Sequence, residues 1–313
     1  MSWSRVMVVA VVAAVACKAA PPAPEAVEPG HPDDAVREAR ALVEEAYRNL
    51  RRGDGAGMMP MLAADVFVVG PGPADVGLDR SAAAVAVGDA LSAKKAHKLR
   101  SSRMVAEAAP DGRSAWVTDQ IELDGQPYAV VAIAAEVDDL WVLTAIEVAR
   151  AVPEGRIKKL AAAGGLAALG DLPAWTGGKP PAAGNLAAPP GVLDTFAEAM
   201  TDPDARLAQL AGKPVTFVGV APRAVVRGAK KLEKAWKKRA PTWTIGDTLA
   251  GATPDGQLAW VLATGTRDGD EPQPRRLFAI YQRIPGGGDA EVLWELVLLH
   301  EAIVPAPAAP AGA

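Results

Sequence analysis

One eight-residue phrase occurs twice in the chain, and this repetition constrains the fold more than any other feature. PDGRSAWV occupies residues 110–117, and PDGQLAWV occupies residues 254–261, so that six of the eight residues are identical. Pro, Asp and Gly favour a tight turn, and the Ala-Trp-Val that follows favours a strand. The phrase therefore predicts the same hairpin corner at two places in the chain.

Two further pairs of segments match in the same order. DVFVVGP at residues 65–71 resembles PVTFVGV at 214–220, and WVLTAIEVA at 141–149 resembles WELVLLHEA at 294–302. The offset between partners drifts by only a few residues along the chain, as expected if insertions fall in loops. We infer an internal duplication that gives two domains of similar length.

The segments outside these two domains are rich in Ala, Gly and Pro. Residues 17–32 and 305–313 show no apolar period, which predicts a flexible tether and a flexible tail. Residues 153–190 favour at most a weak helix in their first half, because Gly and Pro interrupt it, and are predicted to form a linker. The predicted domains accordingly span residues 33–152 and 191–304.

The N-terminus has the pattern of an export signal. Residues 1–16 combine one positive charge, at Arg5, with eleven consecutive apolar residues, too few to span a bilayer. AVAC at residues 14–17 resembles the bacterial lipobox, which implies cleavage before Cys17 and its diacylation. Lys18 in the next position, instead of Asp, favours the outer membrane over the inner one. The alternative is an ordinary signal peptide in which Cys17 has no special role.

Composition and charge exclude several classes of site. The chain has 313 residues, half of them apolar, which is enough for two domains with cores of their own. The net charge of −4 gives no general attraction to nucleic acid. A single cysteine allows no internal disulfide, and His31, His97 and His300 lack the spacing of a metal site. We therefore predict no metal, no cofactor and no nucleic-acid partner.

Both predicted domains begin with helices and continue with strands. In the first domain, apolar residues at helical spacing cover residues 33–52, with Asp33 or Asp34 as the N-cap and Gly53 as the stop. A short strand and then four long strands follow, between residues 65 and 151. Helices followed by a run of antiparallel strands predict an α+β fold, in which a curved sheet wraps around the helices.

This order of elements resembles the SnoaL-like branch of the nuclear transport factor 2 superfamily. The resemblance rests on LAADVFVVGPG at residues 62–72, APDGRSAWV at 109–117 and a last strand that starts at Trp141, and it covers both predicted domains. It implies two tandem cone-shaped domains, each with a bent antiparallel sheet around N-terminal helices and an open-ended pocket. Members of this superfamily include isomerases, cyclases, dehydratases and domains that bind without catalysing a reaction.

The resemblance also directs attention to particular positions in each cone. In steroid-isomerase-like members the general base is an Asp at the end of the first strand, where this chain has Gly70 and Gly219. Neither residue can abstract a proton. A Tyr on the first helix is the usual oxyanion partner, and Tyr47 lies near that position, with Phe196 as its counterpart. Tyr47 is therefore either a pocket residue or a residue that packs the helix against the sheet.

The last strand of each domain offers a second candidate pair. With a period of two, Trp141 shares a face with Glu147, and Trp294 shares a face with His300. An ionisable side chain on an otherwise apolar face is a candidate for a pocket role. The alternative is that Glu147 and His300 lie where each strand leaves the core and meets water.

The middle strand of each domain carries a tryptophan beside polar residues. Trp116 shares its face with Thr118, Gln120 and Glu122, and Trp260 occupies the equivalent place in the second copy. This pattern fits either a polar patch inside a cone or a solvent-facing side of the sheet. The complete set of candidate pocket residues is Tyr47, Trp116, Trp141, Glu147, Trp260, Tyr281, Trp294 and His300.

One helix of the second domain concentrates positive charge. GAKKLEKAWKKRAPTW at residues 228–243 contains a single acidic residue, Glu233, while Leu232, Ala235 and Trp236 form a predicted buried stripe. A solvated helix face is the default interpretation, and contact with anionic headgroups or an acidic partner is the alternative. The candidate basic surface consists of Lys230, Lys231, Lys234, Lys237 and Lys238.

These observations lead to one principal hypothesis and two alternatives. The principal hypothesis is a lipid-anchored protein of the bacterial cell envelope that binds a small apolar ligand or an envelope protein without catalysis. The second is an isomerase or dehydratase that uses Glu147, His300 or Tyr47 as acid or base. The third is a structural protein whose pockets are filled by its own side chains. In each case the two domains are candidates for an intramolecular pseudo-dimer.

Overall fold

The computed structural model describes residues 30–73, 75–83, 96–167, 187–209, 214–238, 241–268, 273–284 and 292–306. The predicted export signal, Cys17, most of the tether, and parts of the linker and tail lie outside these residues. Within them the chain forms two sheets, each preceded by helices, and this is the predicted α+β class.

The first domain has a long helix followed by a sheet of seven strands in the described part of the chain. The strand order across this sheet is β2-β1-β7-β6-β5-β3, with β4 also paired to β5. The elements are α1 (Pro32–Arg52), a 3-10 helix (Ala56–Met61), β1 (Leu62–Val69), β2 (Val76–Gly77), β3 (Leu99–Ser101), β4 (Val105–Ala108), β5 (Ser114–Leu123), β6 (Gln126–Val137) and β7 (Leu140–Arg150).

The second domain repeats this order after a connecting helix. Its six described strands run β9-β8-β13-β12-β11-β10, which is the strand order of the first sheet. The elements are α2 (Glu154–Ala162), α3 (Val192–Thr201), α4 (Pro203–Gln209), β8 (Thr216–Val218), β9 (Val225–Arg227), α5 (Ala229–Lys238), β10 (Trp243–Ala252), β11 (Leu258–Arg267), β12 (Gln273–Ile284) and β13 (Leu293–Ala302).

Each sheet is mixed and not purely antiparallel, which corrects the sequence prediction. The long strands form antiparallel neighbours, but β1 pairs in parallel with β7, and β8 pairs in parallel with β13. Hairpins fix the antiparallel direction of consecutive strands only. The first strand of each domain is separated from the last by the whole domain, so tertiary packing sets its direction.

Helix α1 begins and ends as local sequence rules dictate, with one shift at its start. Gly53 takes the left-handed conformation (φ 70°) and its N–H donates to the carbonyls of Asn49 and Leu50, as predicted. The N-cap is His31, whose ring accepts a hydrogen bond from the N–H of Asp33, and not Asp33 or Asp34. The two aspartates lie in the first turn instead, where the helix dipole favours negative charge.

The repeated PDG phrase forms the same tight turn in both domains. The N–H of Gly112 donates to the carbonyl of Ala109 at 3.0 Å, and the N–H of Gly256 donates to that of Thr253 at 2.8 Å. Both glycines have positive φ, 68° and 66°, which a residue with a side chain rarely adopts. The predicted hairpin corners are therefore confirmed.

The interior of each cone is an apolar cluster between the helices and one face of the sheet. In the first domain, Val43 and Leu50 of α1 pack with Val117 and Ile146 of the sheet. In the second domain, Phe196 of α3 belongs to a cluster with Trp236, Trp243 and Trp294.

The other face of each sheet is also buried, because the two sheets pack against each other. Phe67 of β1 stacks on Trp260 of β11 with ring centroids 4.1 Å apart, and Phe278 of β12 stacks on Phe67 at 6.4 Å. Trp116 and Ile133 of the first sheet belong to the same buried cluster. The two domains therefore share a third apolar core.

Polar contacts lie around this shared core. Arg227 forms an ion pair with Glu107 of the other domain. The PDG turns are also close, since the pKa of Asp111 is raised first by burial and then by the charge of Asp255. The two copies of the phrase therefore lie within electrostatic range of each other.

Part of the segment predicted to be a linker is structured. Helix α2 places Ile157 in a small apolar cluster with Val152 and Ile303. The N–H of Val152 donates to the carbonyl of Val220 at 2.8 Å, and Leu166 forms a bridge with Pro305. The first half of the linker therefore packs against the second domain, and residues 168–186 lie outside the described part.

We expect Trp260→Ala to destabilise both domains together. Trp260 is fully buried in the shared core, and deleting a buried tryptophan typically costs about 3–5 kcal/mol. Urea unfolding followed by fluorescence measures the loss. Leu140→Ala, at a leucine that is 67% exposed, is the control and changes the free energy of unfolding by less than about 0.5 kcal/mol. An equally small effect for Trp260→Ala would contradict a shared core.

Candidate functional site

The first cone contains an apolar pocket between α1 and the sheet. Its volume is about 60 Å³, which is room for roughly four to six water-sized groups. Tyr47 is the one lining residue with a polar side chain. The lining consists of Val43, Ala46, Tyr47, Leu50, Met58, Ile121, Leu123, Val130, Ala132, Leu143, Ile146 and Val148.

Tyr47, which lines this pocket, lies beside Asp119. Asp119 lies on β5 between Val117 and Ile121, two residues of the cone interior, and therefore shares their face. The Tyr47 hydroxyl and the Oδ2 of Asp119 are both buried, and neither has a hydrogen-bonding partner of good geometry in the described part of the chain. Two polar groups near each other inside an apolar cone thus have unused hydrogen-bonding capacity.

Burial perturbs the ionisation of both groups. It raises the pKa of Tyr47 well above its ordinary value, and the nearby Asp119 charge raises it further. Burial also raises the pKa of Asp119, although the Ser101 side chain, the N–H groups of Arg103 and Gln120, and the nearby Tyr47 hydroxyl oppose this effect. A carboxyl group in such surroundings takes up a proton more readily and can then donate a hydrogen bond.

Asp119 also has a structural role. Its Oδ1 accepts hydrogen bonds from the N–H of Arg103 at 3.0 Å and from the N–H of Gln120 at 2.7 Å. Arg103 lies in the gap between β3 and β4, where both strands pair with β5. Asp119 therefore holds this gap with one oxygen and leaves the other oxygen on the side of Tyr47.

The second cone lacks this pair. The residue equivalent to Tyr47 is Phe196, and the residue equivalent to Asp119 at the spacing of the PDG phrase is Ala263. Both are fully buried in the apolar cluster of this cone, which also includes Trp236, Trp243 and Trp294. The two interiors are therefore chemically different although the strand order is the same.

The structure moves Glu147 and His300 out of the cones, which corrects their expected placement. The pairing of β7 with β6 shifts register between Ile133 and Ala134, and the pairing of β13 with β12 shifts between Ile280 and Tyr281. Such an irregularity inserts one residue and reverses the alternation of side chains beyond it. The prediction that Trp141 shares a face with Glu147 is therefore wrong.

On each side of the bulge the side chains face different cores. Trp141 packs against the interior of the first cone, whereas Ala145 of the same strand belongs to the shared core. In β13, Trp294 lies in the interior of the second cone, whereas Leu298 belongs to the shared core. A strict period of two cannot represent this change.

Glu147 and His300 contact each other across the interface. The Nδ1 of His300 lies 2.7 Å from the Oε2 of Glu147, and their side chains are 2% and 0% exposed. The charge of Glu147 also acts on Arg276, whose pKa is lowered by burial and raised in part by Glu147. The three residues form a buried polar cluster in an otherwise apolar interface.

Arg276 of the second domain binds the backbone of the first domain at Gly70. Its Nη1 donates to the carbonyl of Gly70 at 2.7 Å, and its Nη2 donates to that of Gly72 at 3.0 Å. The position that the resemblance compared with a general base is thus occupied by a docking contact between the domains. The Gly-Pro loop that begins at Gly70 is a strand connection held by the other domain.

The remaining candidate pocket residues divide between the three cores. Tyr47 and Trp141 face the first cone, Tyr281 and Trp294 face the second cone, and Trp116 and Trp260 lie in the shared core. The face of the middle strand that carries Trp116 was predicted to lie either inside a cone or in solvent. It lies between the two domains instead. No sequence rule signals this, because a second sheet buries a face as effectively as a helix layer does.

The basic helix α5 has its charged side chains on the surface. Lys230, Lys231 and Lys234 are exposed, while the side chains of Lys237 and Lys238 lie outside the described residues. Leu232 and Trp236 are buried as predicted, but Ala235 is exposed. Its role as a binding surface stays a prediction.

The described residues contain neither a candidate metal site nor a membrane-spanning helix. No group of three His, Cys, Asp or Glu side chains in that part of the chain could hold a metal ion. None of the helices described there is long and apolar enough to cross a membrane.

Comparison with known proteins gives likeness of fold. Similar solved structures include an NTF2-like protein of unknown function from Pseudomonas putida KT2440, with 15% identity, 40% of this chain and 92% of that chain covered, and a TM-score of 0.36. A ketosteroid isomerase-like protein from Erwinia carotovora atroseptica is 12% identical to this chain. The match covers 39% of this chain and 99% of that protein, with a TM-score of 0.33. A protein with a cystatin-like fold from Caulobacter vibrioides is also 12% identical. The match covers 42% of this chain and 99% of that protein, with a TM-score of 0.35.

At 12–15% identity these likenesses say nothing about the activity of this chain. No protein-family model matches the chain. No curated protein matches it either.

Asp119 is not among the predicted pocket residues, although its signal is present in the sequence. An Asp between Val117 and Ile121 in an alternating strand faces the apolar side, and a buried carboxylate calls for a partner. Recognising that partner required the contact between α1 and β5, which lie about 70 residues apart.

We expect the stability of the wild type relative to Asp119→Asn to fall as pH rises. Because the folded-state pKa of Asp119 is raised, its protonation stabilises the native state fully below the unfolded-state pKa of about 4. This contribution is lost as pH increases through the folded-state value, and the amide variant cannot lose it. Urea unfolding of both proteins between about pH 4 and pH 7 measures the difference. A constant difference would contradict the raised pKa.

We expect Glu147→Leu and His300→Leu each to destabilise the protein by about 1–3 kcal/mol, because each leaves a buried polar partner unsatisfied. The double variant should lose less than the sum, with a coupling of about 0.5–3 kcal/mol. Urea unfolding of the wild type, the two single variants and the double variant measures the four free energies of unfolding that the cycle needs. Additive losses would mean that the two side chains do not interact.

Proposed function

We propose that the first cone binds a small, mostly apolar molecule through a single oxygen atom and does not convert it chemically. The observation that carries the proposal is the apolar pocket of about 60 Å³ lined by Tyr47, whose buried hydroxyl has no hydrogen bond of good geometry in the described part of the chain. A buried donor without an acceptor costs free energy, and a ligand oxygen would remove this cost.

The chemistry of Tyr47 and Asp119 specifies the ligand class. Tyr47 is held neutral by its raised pKa and can donate a hydrogen bond. Asp119 can add a second donor when it is protonated, which burial favours. Both groups therefore suit a carbonyl or ether oxygen, and the surrounding aliphatic side chains suit an apolar body.

Two observations favour binding over catalysis. Gly70 stands where relatives carry the general base, and its carbonyl is bound by Arg276 of the other domain. Glu147 and His300, the acid-base candidates of the sequence, face the interdomain interface and not the pocket. Tyr47 is then the one ionisable residue in the lining, and its raised pKa makes it a poor base.

An isomerase or dehydratase activity is the second candidate. The raised pKa of Asp119 favours it, because a buried carboxyl with a pKa nearer neutrality can exchange protons with a bound ketone. Proton NMR of cyclohexanone in D₂O detects such exchange. Acceleration by the wild type that is lost in Asp119→Asn would favour the enzyme over the binding protein.

We expect cyclohexanone to bind about three- to tenfold more tightly than methylcyclohexane, because one net hydrogen bond contributes about 0.5–1.5 kcal/mol. Tyr47→Phe should abolish this preference and leave the affinity for methylcyclohexane unchanged. Methyl NMR titration of the pocket residues measures both affinities.

Two variants serve as controls for this experiment. Tyr128→Phe removes a hydroxyl outside the pocket lining and should leave the preference intact. Ala132→Leu places a larger side chain in the lining and should weaken both probes. If the wild type binds neither probe, or if Tyr47→Phe keeps the preference, the proposal is contradicted.

We also propose that the protein is anchored to the cell envelope by a lipid on Cys17. The support is the sequence alone, in which the only cysteine follows an eleven-residue apolar segment. Mass spectrometry of the protein from native membranes should show a diacylglyceryl group on an N-terminal Cys17. Recovery of Cys17→Ala in the membrane fraction would contradict the anchor.

A further inference from the structure

The interior of the second cone contains a buried cation that the packing alone does not explain. Arg206 of α4 is fully buried, and its guanidinium lies 5.0 Å from the ring centroid of Trp236 and 4.8 Å from that of Trp243. Its Nη2 donates to the carbonyl of Pro241 at 2.6 Å. Its Nε and Nη1 have no hydrogen-bonding partner in the described part of the chain.

Other donors in the same interior are also unused. The hydroxyl of Tyr281 and the Nε1 of Trp243 are both buried without a partner among the described residues. Tyr281 is close enough to Arg206 for the two groups to affect each other's pKa. Burial raises the pKa of Tyr281, so that its hydroxyl stays neutral and available as a donor. The interior thus offers donors without a matching acceptor.

The buried carboxylate that acts on Arg206, Glu301, is already engaged. Glu301 accepts a hydrogen bond from Arg275 at 2.8 Å and another from Arg267 at 3.2 Å. Arg275 and Glu301 are both buried and form one pair, so the charge of Arg206 remains in excess. Residues 207–213, which follow Arg206, include no acidic side chain. Asp202 is exposed and accepts hydrogen bonds from the start of α4.

Arg206 is nevertheless charged at neutral pH. Burial lowers its pKa to about 10, and Asp202 and Glu301 limit this decrease. A buried charge is normally paired, because removal from water is costly without a counter-charge. Contact with two tryptophan faces compensates part of that cost but leaves the two nitrogens unpaired.

We propose that the second cone binds a small organic carboxylate, whose negative charge pairs with Arg206 and whose apolar part packs among the surrounding aromatic rings. One excess positive charge balances one negative charge, which favours a monoanion over a doubly charged phosphate. The planar guanidinium matches a carboxylate, and Tyr281 can donate to it as well. This site is independent of the pocket proposed for the first cone.

Isothermal titration of the full chain with sodium butyrate and sodium benzoate, at constant ionic strength, tests this proposal. The wild type should bind one carboxylate per chain, and Arg206→Met should weaken binding at least about tenfold. Lys234→Met removes the same charge from an exposed position on α5 and should keep wild-type affinity. Inorganic phosphate should bind at least about tenfold more weakly than butyrate.

If Arg206→Met does not fold, Arg206→Lys replaces it, since the charge is kept but the planar donor group is lost. Weaker carboxylate binding by Arg206→Lys, together with wild-type affinity in Lys234→Met, supports the site. Two results overturn the proposal: no saturable binding of either carboxylate by the wild type, or binding that survives in the Arg206 variant. Tyr47→Phe should have no effect, so failure here leaves the first pocket untouched.

Discussion

The stack of Phe67 on Trp260 joins the outer faces of two sheets, and much of the remaining structure depends on it. A sheet with helices on one side leaves its other side open, and an apolar side must be covered. Here each domain covers the other, so Trp116, Phe278 and Ile133 become interior residues. The pairing also explains why polar groups at this interface, such as Glu147, His300 and Arg276, occur as partners of one another.

The same packing separates the two cone interiors from the interface and lets each have its own chemistry. The first cone keeps a pocket lined by Tyr47, whose hydroxyl lies near Asp119. In the second cone two tryptophan rings lie against the guanidinium of Arg206. Two sheets with the same strand order thus enclose chemically different interiors.

Sequence reasoning was accurate where structure is local. The bounds of α1, its Gly53 stop and the two PDG turns depend on neighbouring residues, and all were predicted within a few positions. It was inaccurate where a contact between distant segments decides the outcome. The bulges near Thr144 and Val297 arise within β7 and β13, yet nothing in their residue types marks them, and one inserted residue moves Glu147 and His300 to another core.

The sequence by itself determined the α+β class, the order of helices and strands and the corners of the hairpins, because turn chemistry and apolar periodicity act over a few residues. Tertiary structure alone decided which apolar face meets which core, the parallel direction of β1 and β8, and the partners of every buried ionisable group. The physical reason is that a strand has two faces and either can be buried. Only the complete arrangement of helices and sheets shows what covers each face.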